Sequence, residues 1–348
     1  MKTPFEPDYR NLLDAARNRE PRRIPIYEHM ISETMMETIL NREFVCYHAG
    51  DLNDKRKFFN GYCAFFREMG YDTVSWERGI APVMPGSGAL GAHRDGVIKT
   101  RADFDRYPWD EIPDAFFREY DLYFEALRLE MPAGMMAVGG PGNGIFECTE
   151  DIIGYIDLCY IKGDDPELYA DVFRKVGEIS LAIWKRFIER YGDMYCVLRF
   201  GDDLGYKTQT LLCPDDIRRY VIPCYRAIIA EVHRAGKPFL LHSCGNIFSV
   251  MEDLIDAGID AKHSNEDAIA PFSEWVNRYG DRIGNFGGLD TDLLCRLSAD
   301  ELRDKIAEVF AMGRGHGGFA FGSGNSIPDY VPVENYLLMI ETANRLRL

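Results

Sequence analysis

A chain of 348 residues, 46% of them apolar, can bury a large core, and its length alone permits one big domain or two ordinary ones. A formal net charge of -16 with no basic run excludes a nucleic-acid backbone or an acidic membrane surface as partner, and no stretch approaches the roughly eighteen apolar residues of a membrane span. Nine cysteines, scattered without a CxxC pair and preceded by no leader-like apolar segment, predict reduced thiols in a cytoplasmic protein.

Pro4 to Arg19 reads as a helix ahead of a first strand, Arg23 to Glu28 (RIPIYE), so residues 1–22 form an N-terminal helical extension. Helical spacing follows over Ser32 to Asn41 and Lys55 to Met69, then a second strand at Tyr71 to Trp76. The stretch Ile80 to Pro108, rich in glycine and proline, is too long for a simple connection and predicts a lid or binding loop. A third strand, Met135 to Val138, ends in GGPGNG and leads to a helix over Thr149 to Tyr160 and a longer one over Glu167 to Arg190. The remaining strands are Tyr195 to Phe200, Pro238 to Leu241, Ile259 to Lys262, Ile283 to Phe286 and Gly318 to Phe321. They alternate with helices from Pro214 to about Ala235, Phe248 to Ala257, Pro271 to Tyr279 and Ala299 to Met312, and Val333 to Arg345 closes the chain.

Eight short apolar strands alternating with helices predict a parallel, helix-covered sheet, and eight strands close a (β/α)8 TIM barrel over residues 23–348 in a single domain. A doubly wound open sheet is the alternative. No GxGxxG follows an early strand and no GxxxxGK[ST] occurs, which removes the usual dinucleotide and P-loop readings.

In a barrel the residues just beyond each strand gather on one face. They are Glu28 and His29 after the first strand, Asn143 and Glu147 after the third, and Asp202, Asp203, Tyr206, Lys207 and Gln209 after the fourth. His242, Cys244 and Asn246 follow the fifth, His263, Asn265, Glu266 and Asp267 the sixth, Asp290 and Asp292 the seventh, and Ser323, Asn325 and Ser326 the eighth. Asn246, Asn265, Asp290 and Asp292 are most simply helix caps or loop groups. The adjacent carboxylates Asp202 and Asp203 repel one another unless a cation or donor offsets them, which fits either function or a cap.

The run FLLHSCGNI, residues 239–247, carries the sharpest signal. Residues two apart in an extended chain face the same side, so the imidazole of His242 and the thiol of Cys244 address one pocket before Gly245-Asn246 turns the chain away. Read as metal ligands, the pair makes half of a zinc site, since zinc takes at least three ligands from protein. A Cys244 nucleophile activated by His242 is the other chemistry this pair permits.

Gly201-Asp202-Asp203, His242-Ser243-Cys244-Gly245-Asn246 and the helix openings Asp165-Pro166-Glu167 and Pro332-Val333-Glu334-Asn335 resemble the uroporphyrinogen decarboxylase superfamily, in its corrinoid-linked methyltransferase branch. The resemblance implies a (β/α)8 barrel with an N-terminal extension. It also implies zinc held by His242 and Cys244, and a methyl group passed between a small-molecule donor or acceptor and a corrinoid protein, or a thiol such as coenzyme M. Asp202, Asp203 and Glu147 are then the groups that bind or protonate substrate. Glu28, His29, Asn143, Tyr206, Lys207, Gln209, His263, Glu266, Ser323 and Asn325 would shape the pocket. Either a cationic methylamine or a phenyl methyl ether fits that description, and a homodimer is open.

Two departures qualify the subtype. The decarboxylase branch grips its porphyrin with an arginine-rich segment near the first strand, where this chain has PRRIPIYE. The thiol-methylating enzymes place a second cysteine ligand after strand eight, where this chain has Gly322-Ser323-Gly324. Glu147, Asp203 and His263 are the substitutes for that ligand, unless metal is held weakly or not at all. A metal-independent decarboxylase built on Asp202 and Asp203, and a non-catalytic barrel that binds a corrinoid protein, are the competing functions.

Overall fold

The computed structural model describes residues 5–91 and 94–347. Among the described residues nine strands form in chain order: β1 (Val74–Ser75), β2 (Arg78–Gly79), β3 (Ala137–Gly139), β4 (Pro141–Gly142), β5 (Tyr195–Gly201), β6 (Phe239–His242), β7 (Ala261–His263), β8 (Gly284–Leu289) and β9 (Phe319–Ser323). Seven of them make one curled parallel sheet in the order β1-β3-β5-β6-β7-β8-β9, while β2 and β4 pair with each other just beyond β1 and β3. Parallel pairing requires a crossover between neighbours, and the helices supply it, so the architecture is the predicted TIM barrel.

The predicted first strand is the irregular stave. Tyr27 N–H donates to Phe321 O at 2.8 Å and Phe321 N–H to Pro25 O at 2.9 Å, which docks the segment on β9. Across the remaining gap Ser75 Oγ donates to the His29 carbonyl at 2.7 Å. Pro25 has no N–H to give, so a regular ladder cannot form here, yet the segment still closes the barrel.

The extension is shorter as a helix than predicted, Arg10–Ala16, and it acts as a plug. Its Leu12, Ala15 and Ala16 pack with Tyr27, Val138, Cys196, Leu240, Ala261, Phe286 and Ala320 inside the barrel. A Cβ added to Gly318 would lie 1.8 Å from Ala15 O, so this glycine is what lets the plug approach. The plugged end is the N-terminal end of the strands, which leaves their C-terminal ends for chemistry.

Several elements differ from expectation. A 19-residue helix, Ile112–Glu130, stands where no element is predicted, with Phe116, Phe117, Tyr120, Tyr123, Phe124 and Leu127 on its buried face. The helix expected over Thr149 to Tyr160 is two helices, Ile145–Ile153 and Tyr155–Asp164, broken at Gly154 with φ +86°. Ahead of Pro223, which cannot donate into a helix, the chain widens into a π-turn at Ile217–Val221. Within the expected lid, Ala92 and His93 lie outside the described residues. The rest is stitched down: Asp151 accepts from the amides of Gly88 and Leu90, and Val97 N–H donates to Ile152 O. Among the described residues no helix is long and apolar enough to cross a membrane.

Candidate functional site

His242 is the last residue of β6, and Cys244 follows in the turn that Gly245 makes with φ +79°. The loop after β5 crosses this turn backbone to backbone: a Cβ on Gly245 would stand 2.2 Å from Gly205 C, and one on Gly205 would stand 2.7 Å from Cys244 O. Two glycines therefore permit the crossing that brings Asp203 to Cys244. Asp203 Oδ1 accepts the Cys244 amide at 2.8 Å and lies 3.8 Å from His242 Nε2. Cys244 Sγ is 3.4 Å from the same Nε2, 3.5 Å from Ser264 Oγ and 3.3 Å from Asn325 Nδ2, which donates to it. The nitrogen, sulfur and oxygen of His242, Cys244 and Asp203 all lie within 4.8 Å of one another.

Three buried imidazoles sit below. His242 Nδ1 is 2.7 Å from His263 Nδ1, and His263 Nε2 is 3.0 Å from the Ser323 carbonyl oxygen. His29 stacks on His242 with ring centroids 3.9 Å apart, its Nε2 3.7 Å from Glu77 Oε1 and its Nδ1 without a partner among the described residues. Burial, and then the neighbouring imidazoles and the Arg199 guanidinium, hold His29 and His242 well below the usual histidine range, and burial takes His263 down to about 3. All three rings are neutral at physiological pH. Burial, and then Asp203, push the Cys244 thiol up, so a thiolate here needs a cation beside it.

Ser323 does not face Cys244. Its Oγ–H donates to Glu28 Oε2, and its amide donates to Glu28 Oε1 at 2.9 Å. Burial lifts the Glu28 carboxyl to about 8 against the pull of those two donors. Glu28 and Ser323 thus belong to the wall under the site rather than to its open side.

The adjacent aspartates divide their roles. Asp202 is fully buried and accepts from the amides of Phe146 (3.0 Å) and Glu147 (2.8 Å) and from Tyr225 Oη (2.6 Å). It caps the helix Ile145–Ile153, and burial raises its carboxyl to about 6 although these three donors oppose the rise. It is therefore placed as a structural acceptor and not, as expected, as a group open to substrate. Glu147, on that helix, accepts from Asn143 Nδ2 at 2.9 Å and from the Asp203 amide at 3.1 Å. Burial, and then the charges of Asp202 and Asp203, raise the Glu147 carboxyl well above its ordinary value.

Tyr206, Lys207 and Gln209 are exposed on a rim hairpin, closed by Tyr206 N–H to Gln209 O at 2.7 Å, and do not line the interior. Glu266, Asp267, Asn325 and Ser326 line a cavity of about 790 Å³ beside the site. Asp290 also borders it but is spent capping the next helix, Thr291–Arg296, and Asp292 pairs with Arg296. Asn246 holds its own turn, with Oδ1 accepting from Phe248 N–H. Asn265 Oδ1 accepts the Gly288 amide at 2.8 Å.

Residue-by-residue reading misses Arg199, Glu77 and Ser264. Arg199 lies fully buried inside the barrel, donating to Glu77 Oε2 (2.8 Å), Tyr27 Oη (2.6 Å) and Ser75 Oγ (2.9 Å). Its signal was an arginine inside the apolar strand YCVLRF. Ser264 holds φ +143°, a conformation a side chain rarely adopts, directly against Cys244.

A family model described as uroporphyrinogen decarboxylase (URO-D) matches residues 9–346. The chain belongs to the uroporphyrinogen decarboxylase family. Two relatives named uroporphyrinogen decarboxylase are each 25% identical to this family member. The protein from Pelobacter propionicus matches over 254 residues, 72% of this chain and 71% of its own length. The one from Carboxydothermus hydrogenoformans matches over 226 residues, 63% of this chain and 61% of its own. The fold is shared with a methyltransferase from Methanosarcina mazei, with a TM-score of 0.70 over 98% of this chain and 99% of that one at 15% identity. The two relatives of the URO-D family are named as a decarboxylase, an enzyme, while the neighbour that shares the fold is named as a methyltransferase.

Proposed function

We propose that this barrel is a zinc-dependent methyltransferase, moving a methyl group between a small substrate and a thiol or a corrinoid carried by a partner protein. The observation that carries the reading is the convergence of His242 Nε2, Cys244 Sγ and Asp203 Oδ1 within 4.8 Å at the C-terminal end of the barrel. One nitrogen, one sulfur and one carboxylate oxygen are a donor set that suits zinc, and three protein ligands leave a position open for substrate. When bound there, zinc supplies a Lewis acid that lowers the pKa of a thiol or polarises the atom that bears the methyl group. Asp203 replaces the cysteine that the resemblance leads one to expect at position 323.

The remaining groups have distinct tasks in this scheme. Asn325 donates to the Cys244 sulfur and orients it. Glu147, whose carboxyl holds its proton more tightly than usual, stands beside Asp203 as the proton donor for the departing group. Met30, Tyr206 and Tyr330, which follow the first, fourth and last staves, expose large apolar surface around the mouth, the kind of rim a docking protein covers.

Porphyrinogen decarboxylation is disfavoured by where the arginines of PRRIPIYE go. Arg22 pairs with Asp8 at 3.0 Å and Arg23 pairs with the buried Asp72, both at the plugged end of the barrel and so away from His242 and Cys244. Neither is free to grip a polycarboxylate at the mouth. Elemental analysis of the purified protein, with methyl transfer to cob(I)alamin and porphyrinogen decarboxylation measured side by side, tests the reading. Full methyl transfer by rigorously metal-free protein would remove the zinc, and decarboxylation without methyl transfer would remove the methyltransferase.

A further inference from the structure

The hydrogen-bond chain beneath His242 has a direction. His263 Nε2 is 3.0 Å from Ser323 O, and a backbone carbonyl can only accept, so the proton is on His263 Nε2. Among the described residues the other contacts of the His263 ring are the edge of Tyr27 at 5.2 Å, the stacked His29 at 5.8 Å and His242, none of which is an anion that holds a second proton on it. The ring is therefore a neutral imidazole whose Nδ1 carries a lone pair. The 2.7 Å contact between the two Nδ1 atoms needs one proton, and only His242 can bring it. His242 is thus the Nδ1–H tautomer, and its Nε2 presents a lone pair toward Cys244 Sγ and Asp203 Oδ1. The opposite arrangement would set the His263 Nε2 lone pair against the carbonyl oxygen of Ser323.

From this we infer that His263 is a positioning residue. It takes its orientation from the Ser323 carbonyl and fixes His242 in the one tautomer whose Nε2 can bind a cation or accept a proton from Cys244. His263 is therefore not itself the missing ligand: both of its ring nitrogens are engaged. A partner that fixes the tautomer and tilt of a ligating imidazole commonly accounts for about 10–100-fold in metal affinity. The tautomer follows from the hydrogen bonds alone, while the affinity consequence rests on the zinc reading.

The test uses full-length, metal-free protein labelled with ¹⁵N-histidine. Long-range ¹H–¹⁵N correlation spectra distinguish protonated from lone-pair ring nitrogens, and the His242→Gln spectrum assigns the His242 signals among the seven histidines. The expected pattern is Nδ1–H for His242 and Nε2–H for His263. In His263→Leu the His242 pattern shifts toward Nε2–H, and zinc affinity, read by chelator competition, falls about 10–100-fold. In His263→Gln the amide oxygen accepts from His242 while the amide nitrogen donates to Ser323 O, so tautomer and affinity stay within a few-fold of wild type. A wild-type His242 carrying its proton on Nε2, or a doubly protonated His263, overturns the inference. So does a His263→Leu protein with unchanged pattern and affinity. Should His263→Leu not fold, the wild-type pattern and His263→Gln decide the matter. Failure of zinc binding or methyl transfer in the wild type sinks the proposed function and leaves the tautomer standing.

Discussion

The Cys244 amide donates at 2.8 Å to Asp203 Oδ1, the oxygen that lies 3.8 Å from His242 Nε2. One carboxylate oxygen thereby holds the backbone of one candidate ligand and faces the side chain of the other. Asp203→Asn keeps an acceptor for the amide but removes the negative charge from the donor set. Zinc affinity by chelator competition is expected to fall at least about 10-fold, with methyl transfer falling in step and thermal stability nearly unchanged. Unaltered affinity would mean that Asp203 is only a turn-stabilising acceptor.

The Glu28–Ser323 pair makes a pH prediction. Burial lifts the Glu28 carboxyl from the usual 4.5 to about 8, so between these values the folded protein keeps a proton that the unfolded chain has released. This group's contribution to stability therefore falls as pH rises through that window, by up to ~1.4 kcal/mol per pH unit, and levels off above it. Denaturant unfolding at pH 5, 6, 7 and 8 should show this added decline in wild type and its absence in Glu28→Gln.

Ser323→Cys restores the residue type expected of a thiol-methylating enzyme without restoring a ligand. The side chain at 323 points to Glu28, and a thiol donates poorly to the carboxyl that Ser323 Oγ now serves. The expected result is a loss of about 1–3 kcal/mol in stability with zinc affinity unchanged. A gain in affinity would show that position 323 reaches the site.

Asp202 is expected to matter for folding more than for turnover. Asp202→Ala strips the cap from the helix Ile145–Ile153 and leaves Tyr225 Oη buried without an acceptor, at a cost of about 2–4 kcal/mol. Thermal unfolding and kcat on the folded fraction separate the two effects. A stable but inactive Asp202→Asn protein would return Asp202 to the chemistry.

Much of the barrel was readable because its strands are apolar runs at regular intervals, and the strand ends bring His242 together with Cys244 and His263, while Ser323 turns away to Glu28. What local pattern does not carry is the direction of a side chain relative to distant elements. Asp202 and Asp203 are neighbours, and their division follows from where the helix beginning at Ile145 presents its free amides, more than fifty residues earlier in the chain. Ser323 turns to Glu28 because the irregular stave, weakened by Pro25, brings a buried carboxyl under β9. Arg199 is a lone charge within the otherwise apolar run YCVLRF, and strand periodicity does not say which partner a single residue meets inside the barrel. The helix Ile112–Glu130 has clear helical spacing of its aromatics and was obscured only by the long loop assigned before it.

Glu147 offers the most direct test of the chemistry. Its two oxygens accept from Asn143 Nδ2 and the Asp203 amide, which holds the carboxyl beside the candidate metal ligands. Burial, and then the charges of Asp202 and Asp203, disfavour its ionised form, so it holds its proton to higher pH than an ordinary carboxyl and can surrender it to a departing group. The rate should fall on the alkaline side as that proton is lost. Glu147→Gln keeps the shape without the acid, and kcat is expected to drop about 10²–10⁴-fold together with disappearance of that alkaline limb. A pH–rate profile of the variant that retains both the wild-type rate and the limb would assign the proton to another group and leave Glu147 as a support for Asp203.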